Sequence, residues 1–249
     1  MYKRQLAYLS GLTSFRQAPL DALIRVGADQ AIIRAQIVEA DGRQSLVEVE
    51  ISRVRRGRVQ VNRQRLQRTR DLLGTVRTSV FSPDDLTLVK GGPGERRRFL
   101  DDTLVALATK NDALRLEVDR VLKQRNTLLR QCGGRLNDDE STTLDVWDSR
   151  LVEVGERLGR ARAALVERLK PLVAEAYQQL AGESNTVSLA YDPQWRHEGL
   201  AVALATARRD DVRRGVSTVG PHRDDVDLSV NELPARTHAS PGEQRTLAL

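Results

Sequence analysis

Leu144, Trp147, Leu151, Val154, Leu158, Ala161 and Leu165 step alternately by three and four residues, a heptad seam sustained for three repeats. A stripe of this kind is buried only against another helix, so it fixes a long helix and a helical partner before the rest of the chain is read. The partner lies just upstream, where Leu107, Leu114, Val118, Val121 and Leu128 recur at helical spacing and Asn111 and Arg125 take the intervening seam positions. Gly133-Gly134 and a polar segment ending near Thr143 separate the two stretches, which predicts an antiparallel helical hairpin. Pro171 is expected to kink or break the second helix, because an interior proline costs about 3 kcal/mol.

The first third of the chain follows a different period. Residues alternate from Ala31 to Val38 and from Ser45 to Val54, with Val47, Val49 and Ile51 on one face and Glu48, Glu50 and Ser52 on the other. Asp41-Gly42 supplies a hairpin turn between these strands, and Arg56-Gly57 another before a third strand containing Val59 and Val61. An antiparallel meander is expected. Turn residues concentrate at Phe81-Ser82-Pro83 and Gly91-Gly92-Pro93-Gly94, where the period changes and a boundary is placed. After the hairpin come a strand at Val187 to Tyr191, a helix from about Leu200 to Arg214 and a strand at Asp225 to Val230. Met1 to Gln5 shows no periodicity and is read as lying outside the domain; the apolar patch from Leu6 to Leu12 is too short and interrupted for a signal peptide.

Composition narrows the function. With 249 residues and 40% hydrophobic content the chain builds a substantial core, while 4% aromatic content argues against base stacking as its main chemistry. The net charge of +6 points to a polyanionic partner, and only five of the 40 basic residues are lysines. Cys132 is the sole cysteine, so there is no intrachain disulfide and no cysteine metal cluster, and a reducing cytoplasmic setting fits. His197, His222 and His238 have no metal-ligand spacing, and no apolar run is long enough to cross a bilayer.

Between Ile51 and Arg70 stand eight arginines and no acidic residue. Of these, Arg53, Arg55, Arg56, Arg58, Arg63 and Arg65 are the candidates for DNA contact, because arginines on a hairpin tip can meet successive phosphates; a solvated face of a basic protein is the alternative. Arg96, Arg97 and Arg98 point in three directions on a helix and are read as a solvated turn, with Phe99 and Leu100 packing inward. Gly220 to Asp225 joins an imidazole to two carboxylates, yet nothing nearby completes a catalytic set, and a turn bonded to its own backbone is expected. Neither catalytic nor metal-binding residues are assigned. Ser240-Pro241-Gly242-Glu243-Gln244 reads as a helix start with Ser240 as N-cap and Glu243 closing a capping box. Such an end attracts anions.

Together these blocks resemble the bacterial RecF family. The resemblance is carried in order by Leu23 to Ala28, Phe81 to Leu86, Val89-Lys90-Gly91 with Pro93, Arg96 to Asp101, Gly220 to Asp225 and Ala239 to Leu249. It implies an α+β fold: an incomplete SMC-like ABC ATPase head with an antiparallel β lobe, into which a helical lobe with a short coiled-coil hairpin is inserted. On that reading residues 1–90 are the β-rich part of the head, 91–215 the helical lobe, and 216–249 the return to the head. It further implies ATP-dependent DNA binding in recombinational repair, replication and the SOS response, in the cytoplasm and away from membranes. The implied cofactors are ATP and magnesium, and the implied partners are DNA, a second copy of the protein and mediators of the RecR and RecO type. In the resemblance, Ser240 and the amide of Gly242 meet the γ-phosphate of ATP held by the opposite subunit, with Gln244 further along the helix.

Two departures qualify that expectation. Pro241 stands where the RecF pattern usually has glutamine. No Gly-x-x-x-x-Gly-Lys-Ser/Thr phosphate loop occurs, and no acid-ended apolar strand follows the signature, so the chain reads as an internal fragment that alone does not bind or hydrolyse ATP. The other readings are a nucleotide-independent DNA-binding module whose hairpin mediates assembly, and an SMC-like ATPase head outside repair.

Overall fold

The computed structural model of the chain describes residues 2–14, 18–78, 80–182 and 185–249. The protein is α+β, and its contacts divide it into two compact units, Met1–Asp84 with Val105–Thr109 and Asp85–Leu104 with Lys110–Leu249.

The smaller unit contains α1 (Tyr2–Gly11) and an antiparallel meander of β1 (Gln30–Val38), β2 (Gln44–Ser52), β3 (Arg58–Val61) and β4 (Gln64–Arg65), in that order across the sheet. The alternation read from the sequence sets the register: Ile33 lies opposite Val49, and Val49 opposite Val59, so one face of the sheet is apolar. That face joins Tyr8, Leu9, Ile24, Leu72 and Val76 in one core. Of the stretch Met1 to Gln5, Met1 lies outside the described residues, and from Tyr2 onward the chain belongs to a helix whose Tyr8 and Leu9 are buried. Between β3 and β4 the chain turns at Asn62-Arg63 with φ of 50° and 66°, the backbone of a two-residue primed turn, which asparagine tolerates well. The Asn62 amide and side chain both bond across to Leu46.

The larger unit runs through α2 (Thr87–Lys90), most of α3 (Pro93–Leu107), α4 (Lys110–Gln131), α5 (Asp138–Ala181), β5 (Val187–Ala190), α6 (Trp195–Glu198), α7 (Leu200–Arg214), β6 (Asp227–Val230), β7 (Leu233–Pro234), α8 (Ala235–His238) and α9 (Pro241–Ala248). The helical hairpin is α4 against α5, with Val118, Val121, Leu122, Leu151, Val154, Leu158 and Leu165 in its shared core. Two expectations change. The helix predicted from Leu107 onward is broken at Ala108-Thr109, where the Asn111 side chain reaches back to donate to the Leu104 carbonyl at 2.8 Å. Pro171 does not end α5, which continues for 44 residues through it.

Arg125, a seam position, has no exposure at all. Its Nε donates to Asp148 at 2.6 Å, and its Nη1 to Asp211 at 2.7 Å and to the Ser217 hydroxyl at 2.8 Å. Asp211 also accepts the amide and hydroxyl of Thr218 at 2.8 and 2.6 Å. One guanidinium thus ties α4, α5, α7 and the turn after α7. Further along the same face of α5, Gly155 and Gly159 let neighbours approach: a Cβ at Gly155 would stand 2.6 Å from Leu200 Cδ2, and one at Gly159 2.6 Å from the Trp195 ring.

Asp211→Ala is expected to lower stability by about 3–5 kcal/mol in denaturant unfolding, because it leaves a buried cation short of its acceptor. Asp41→Ala removes an exposed partner of Arg43 and is expected to cost under about 1 kcal/mol in the same measurement. Gly159→Ala crowds the indole and is expected to cost about 1–3 kcal/mol, read as a lower midpoint of thermal unfolding.

Candidate functional site

The segment from β6 to α9 is built from short-range signals. β6 turns into β7 at Asn231-Glu232, with φ of 51° and 65°, and Asn231 bonds across to Thr186 just as Asn62 does to Leu46 in the other unit. Ala235 of α8 is fully buried. Ala239 is extended, and Ser240 takes the N-cap conformation, φ −62° and ψ 159°. The Ser240 hydroxyl accepts the Glu243 amide at 3.3 Å, and the Glu243 carboxylate accepts the Ser240 amide at 2.7 Å. The capping box read from the sequence is present. Hydrogen bonds from Ser240 hold the Glu243 carboxyl below its ordinary range.

Ser240, Pro241 and Gly242 are exposed. The amides of a first helical turn have no carbonyl of their own helix to reach, so the Gly242 N–H faces outward, and a Cβ built at Gly242 would meet only the Ser240 hydroxyl, at 3.9 Å. Gln244 behaves differently. It is buried, and its Nε2 donates to the carbonyls of Ala235 and Arg236 at 3.0 and 3.2 Å, which fastens α9 to α8.

Gly220 to Asp225 is more than a turn bonded to its own backbone. Arg96, expected on a solvated turn, is buried; it makes a bidentate pair with Asp225 at 2.6 and 2.9 Å, and its Nη1 donates to the carbonyls of Leu88 and Gly91. Arg97 donates to the Asp224 carbonyl at 2.6 Å, while Phe99 is exposed rather than packed inward. Arg162 pairs with both oxygens of Asp101 and donates to the Pro221 carbonyl at 2.6 Å. Asp224 accepts the Tyr191 hydroxyl at 2.5 Å and the Trp195 indole N–H at 2.7 Å. Burial pushes the Asp224 carboxyl up, against these hydrogen bonds and nearby Arg162, and pushes the Tyr191 phenol up further. His222 donates from Nε2 to the Ser217 carbonyl at 3.0 Å, and burial lowers its pKa, which keeps it neutral. Most of these polar groups are committed to holding elements together; the His222 Nδ1 is buried without a hydrogen-bond partner among the described residues. The signal for these long-range pairs was buried arginine opposite acid, which charge counting does not reveal.

In the smaller unit the arginine cluster separates into two kinds. Arg55 and Arg58 pair with Glu50, which lies just before the acid-free window and is buried on the otherwise polar face of β2. Arg53 donates to the carbonyls of Asp21 and Ile24. Arg56, Arg63 and Arg65 are exposed, with Arg63 on the primed turn and Arg65 on β4 beside it. Cys132 donates from its thiol to the Leu128 carbonyl at 3.0 Å, and burial raises its pKa. Among the described residues no cluster of His, Cys, Asp or Glu is arranged to hold a metal, and no helix is long and apolar enough to cross a membrane.

No protein-family model matches the chain. Individual proteins do. It is 44% identical over 259 residues to the DNA replication and repair protein RecF of Streptomyces avermitilis, a match covering 98% of this chain and 69% of that protein. It is likewise 44% identical to RecF of Frankia alni and 38% identical to RecF of Arthrobacter sp. strain FB24, again over 69% of each. Among solved structures, the recombination mediator protein RecF-ATPrS in the RecFOR pathway superimposes with a TM-score of 0.91 at 24% identity, covering 99% of this chain and 68% of that one. RecF-ATP of the same pathway gives 0.90. The fold is that of RecF, and at such identity over more than two thirds of its relatives' length the chain belongs to the RecF family.

Proposed function

We propose that this chain is part of an ATP-dependent DNA-binding protein of recombinational repair, and that α9 reads the γ-phosphate of ATP presented by a second copy. The observation that carries the reading is the exposed start of α9, where a serine hydroxyl and an unobstructed glycine amide face outward from a helix N-terminus. Positive partial charge gathers at such an end, and exposed N–H groups complement a phosphate. Pro241 fits the first helical position and leaves Ser240 and Gly242 on either side of it as the groups that meet the anion. The RecF-ATP and RecF-ATPrS structures that share this fold support a nucleotide partner.

ATP with its magnesium, held by a second copy, would supply the phosphate charge that Ser240 and Gly242 meet. This chain's own contribution is recognition in trans: Ser240 orients the phosphate, Gly242 admits it closely, and Gln244 holds α9 to α8 so that the end keeps its aim. The cis half of each site calls for a phosphate loop, a motif that these 249 residues do not contain. The RecFOR setting of the solved relatives supports mediators of the RecO and RecR type as further partners.

DNA contact is assigned to Arg56, Arg63 and Arg65 within the cluster. They are exposed and make no ion pair among the described residues, whereas Arg53, Arg55 and Arg58 are engaged within the unit.

In the full-length protein Ser240→Arg is expected to abolish ATP-dependent dimerisation, followed by sedimentation, while each monomer still binds nucleotide. Loss of monomer binding would show that Ser240 acts in cis. Reversing Arg56, Arg63 and Arg65 to glutamate is expected to weaken DNA binding at least about tenfold and to lower the salt slope by about one for each phosphate no longer neutralised, with no change in the thermal midpoint. DNA binding that survives the reversal removes this patch from the interface, and binding that ATP leaves unchanged favours a nucleotide-independent module.

A further inference from the structure

At the end of the β3–β4 hairpin away from the Asn62-Arg63 turn, the smaller unit encloses a cavity of about 40 Å³. Arg56, Arg58 and Arg65 line it together with Gly57, Gln67 and Thr69, so its wall is mostly polar and, among the described residues, carries no carboxylate. The register of the sheet brings these side chains together. Glu50 lies opposite Arg58 and Gln60 opposite Arg65, which puts both arginines on the polar face of the meander. The Leu66 amide donates to the Val59 carbonyl at 2.9 Å and so carries Gln67 past the start of β3. Gly57 lets the turn before β3 close on β2, since a Cβ there would stand 2.4 Å from the Glu50 carbonyl oxygen. Arg56 and Arg58 are thereby held on either side of that close approach. Thr69 opens a 3-10 turn, Thr69–Leu72, that is fixed by the full burial of Leu72 in the core.

Three arginines around so small a space repel one another, and the acids nearest in sequence do little to relieve them. Glu50 approaches Arg58 at 3.6 Å, and its closer partner is Arg55, which does not line the cavity. The Asp71 carboxylate accepts the Arg68 amide at 3.0 Å. Cations gathered in a concave site focus their field into it, and an anion seated there restores the balance of charge. The size of the space selects the anion. One water needs about 10–15 Å³ by the same measure, so the cavity takes roughly three, the bulk of a single phosphate group. A whole nucleotide calls for a pocket of roughly 300 Å³ or more. The donors suit a phosphate as well: guanidinium forks meet its oxygens in pairs, and the Gln67 amide and Thr69 hydroxyl are neutral donors beside them.

We propose that this cavity is a seat for a single phosphate group, and that the group filling it is one backbone phosphate of DNA. The inference rests on the DNA-contact role given to the same arginines above and sharpens it. Arg56 and Arg65 act together on one shared phosphate, whereas Arg63, which does not line the cavity, meets a different one. Arg58, tethered by Glu50, is the fixed part of the wall. A basic surface attracts a strand anywhere along its length; a seat for one phosphate fixes where the strand lies.

The test uses the full-length protein, with DNA of fixed length and inorganic phosphate as probes. Arg56→Gln and Arg65→Gln are each expected to weaken DNA binding about tenfold, and the double variant at most about threefold further, because both side chains serve one phosphate. The salt slope is expected to fall by about one in all three variants, with the thermal midpoint unchanged. Arg63→Gln is expected to add in full to either. At equal ionic strength, inorganic phosphate is expected to inhibit wild-type DNA binding more strongly than chloride, and that excess to vanish in the double variant. Full additivity of Arg56→Gln and Arg65→Gln, with a salt slope that falls by about two, overturns the shared seat and leaves the arginines as an ordinary DNA-contact surface. Wild-type DNA affinity in all three single variants overturns the DNA-contact role and this inference with it. If the double variant loses calorimetric binding of inorganic phosphate yet keeps wild-type DNA affinity, the seat takes free phosphate and its assignment to DNA is overturned.

Discussion

A guanidinium removed from water keeps its charge and must be met by fixed acceptors, and the larger unit places this demand three times, at Arg96, Arg125 and Arg162. Each is matched with a carboxylate far away in sequence: Asp225 for Arg96, Asp148 and Asp211 for Arg125, Asp101 for Arg162. Apolar contacts could slide past one another with little loss. A bidentate pair cannot, because both its distance and its plane are specified. The hairpin, the loop from Gly220 to Asp225 and the start of α3 are thereby held in one register, and the strands that lead to α9 continue from that loop.

The contrast with α9 is instructive. Around Asp224 and Asp225 most donors and acceptors are consumed inside the fold. At Ser240 the bonds are local, exposed and made by the segment to itself. Groups satisfied in this way are exchangeable: a ligand can replace the partner without unfolding anything. Rigidity is concentrated in one place and exchangeability in the other, and the second depends on the first for its aim.

What the sequence made legible were features with a period or a local rule. The meander, the hairpin seam, α7 and the capping box all follow from alternation, heptads or cap chemistry within a few residues. What it hid were pairings across long separations. Arg125 occupies a seam position that counts as a polar interruption until Asp148 and Asp211 are brought to it. Arg55 and Arg58 look free because their acid, Glu50, lies outside the basic run and reaches them only through the β2–β3 register. Gln244 reads as a ligand-facing side chain until α8 folds back beneath it. Of the candidate site, the helix start was readable and the support under it, including Tyr177 in the cluster on which Leu247 and Ala248 pack, was not, because nothing local in α5 distinguishes Tyr177 from any other aromatic core residue.

The length of α5 gives the unit a mechanical character. At about 1.5 Å per residue its 44 residues form a rod about 66 Å long, with the hairpin seam along one stretch and Tyr177 near the far end. A hydrogen-bonded rod resists bending, so tilt applied at the hairpin end is transmitted to whatever rests on the other. Pro171 interrupts that stiffness once, by withholding one amide from the ladder six residues before Tyr177. The ladder is therefore one bond short between the seam and the tyrosine on which α9 rests.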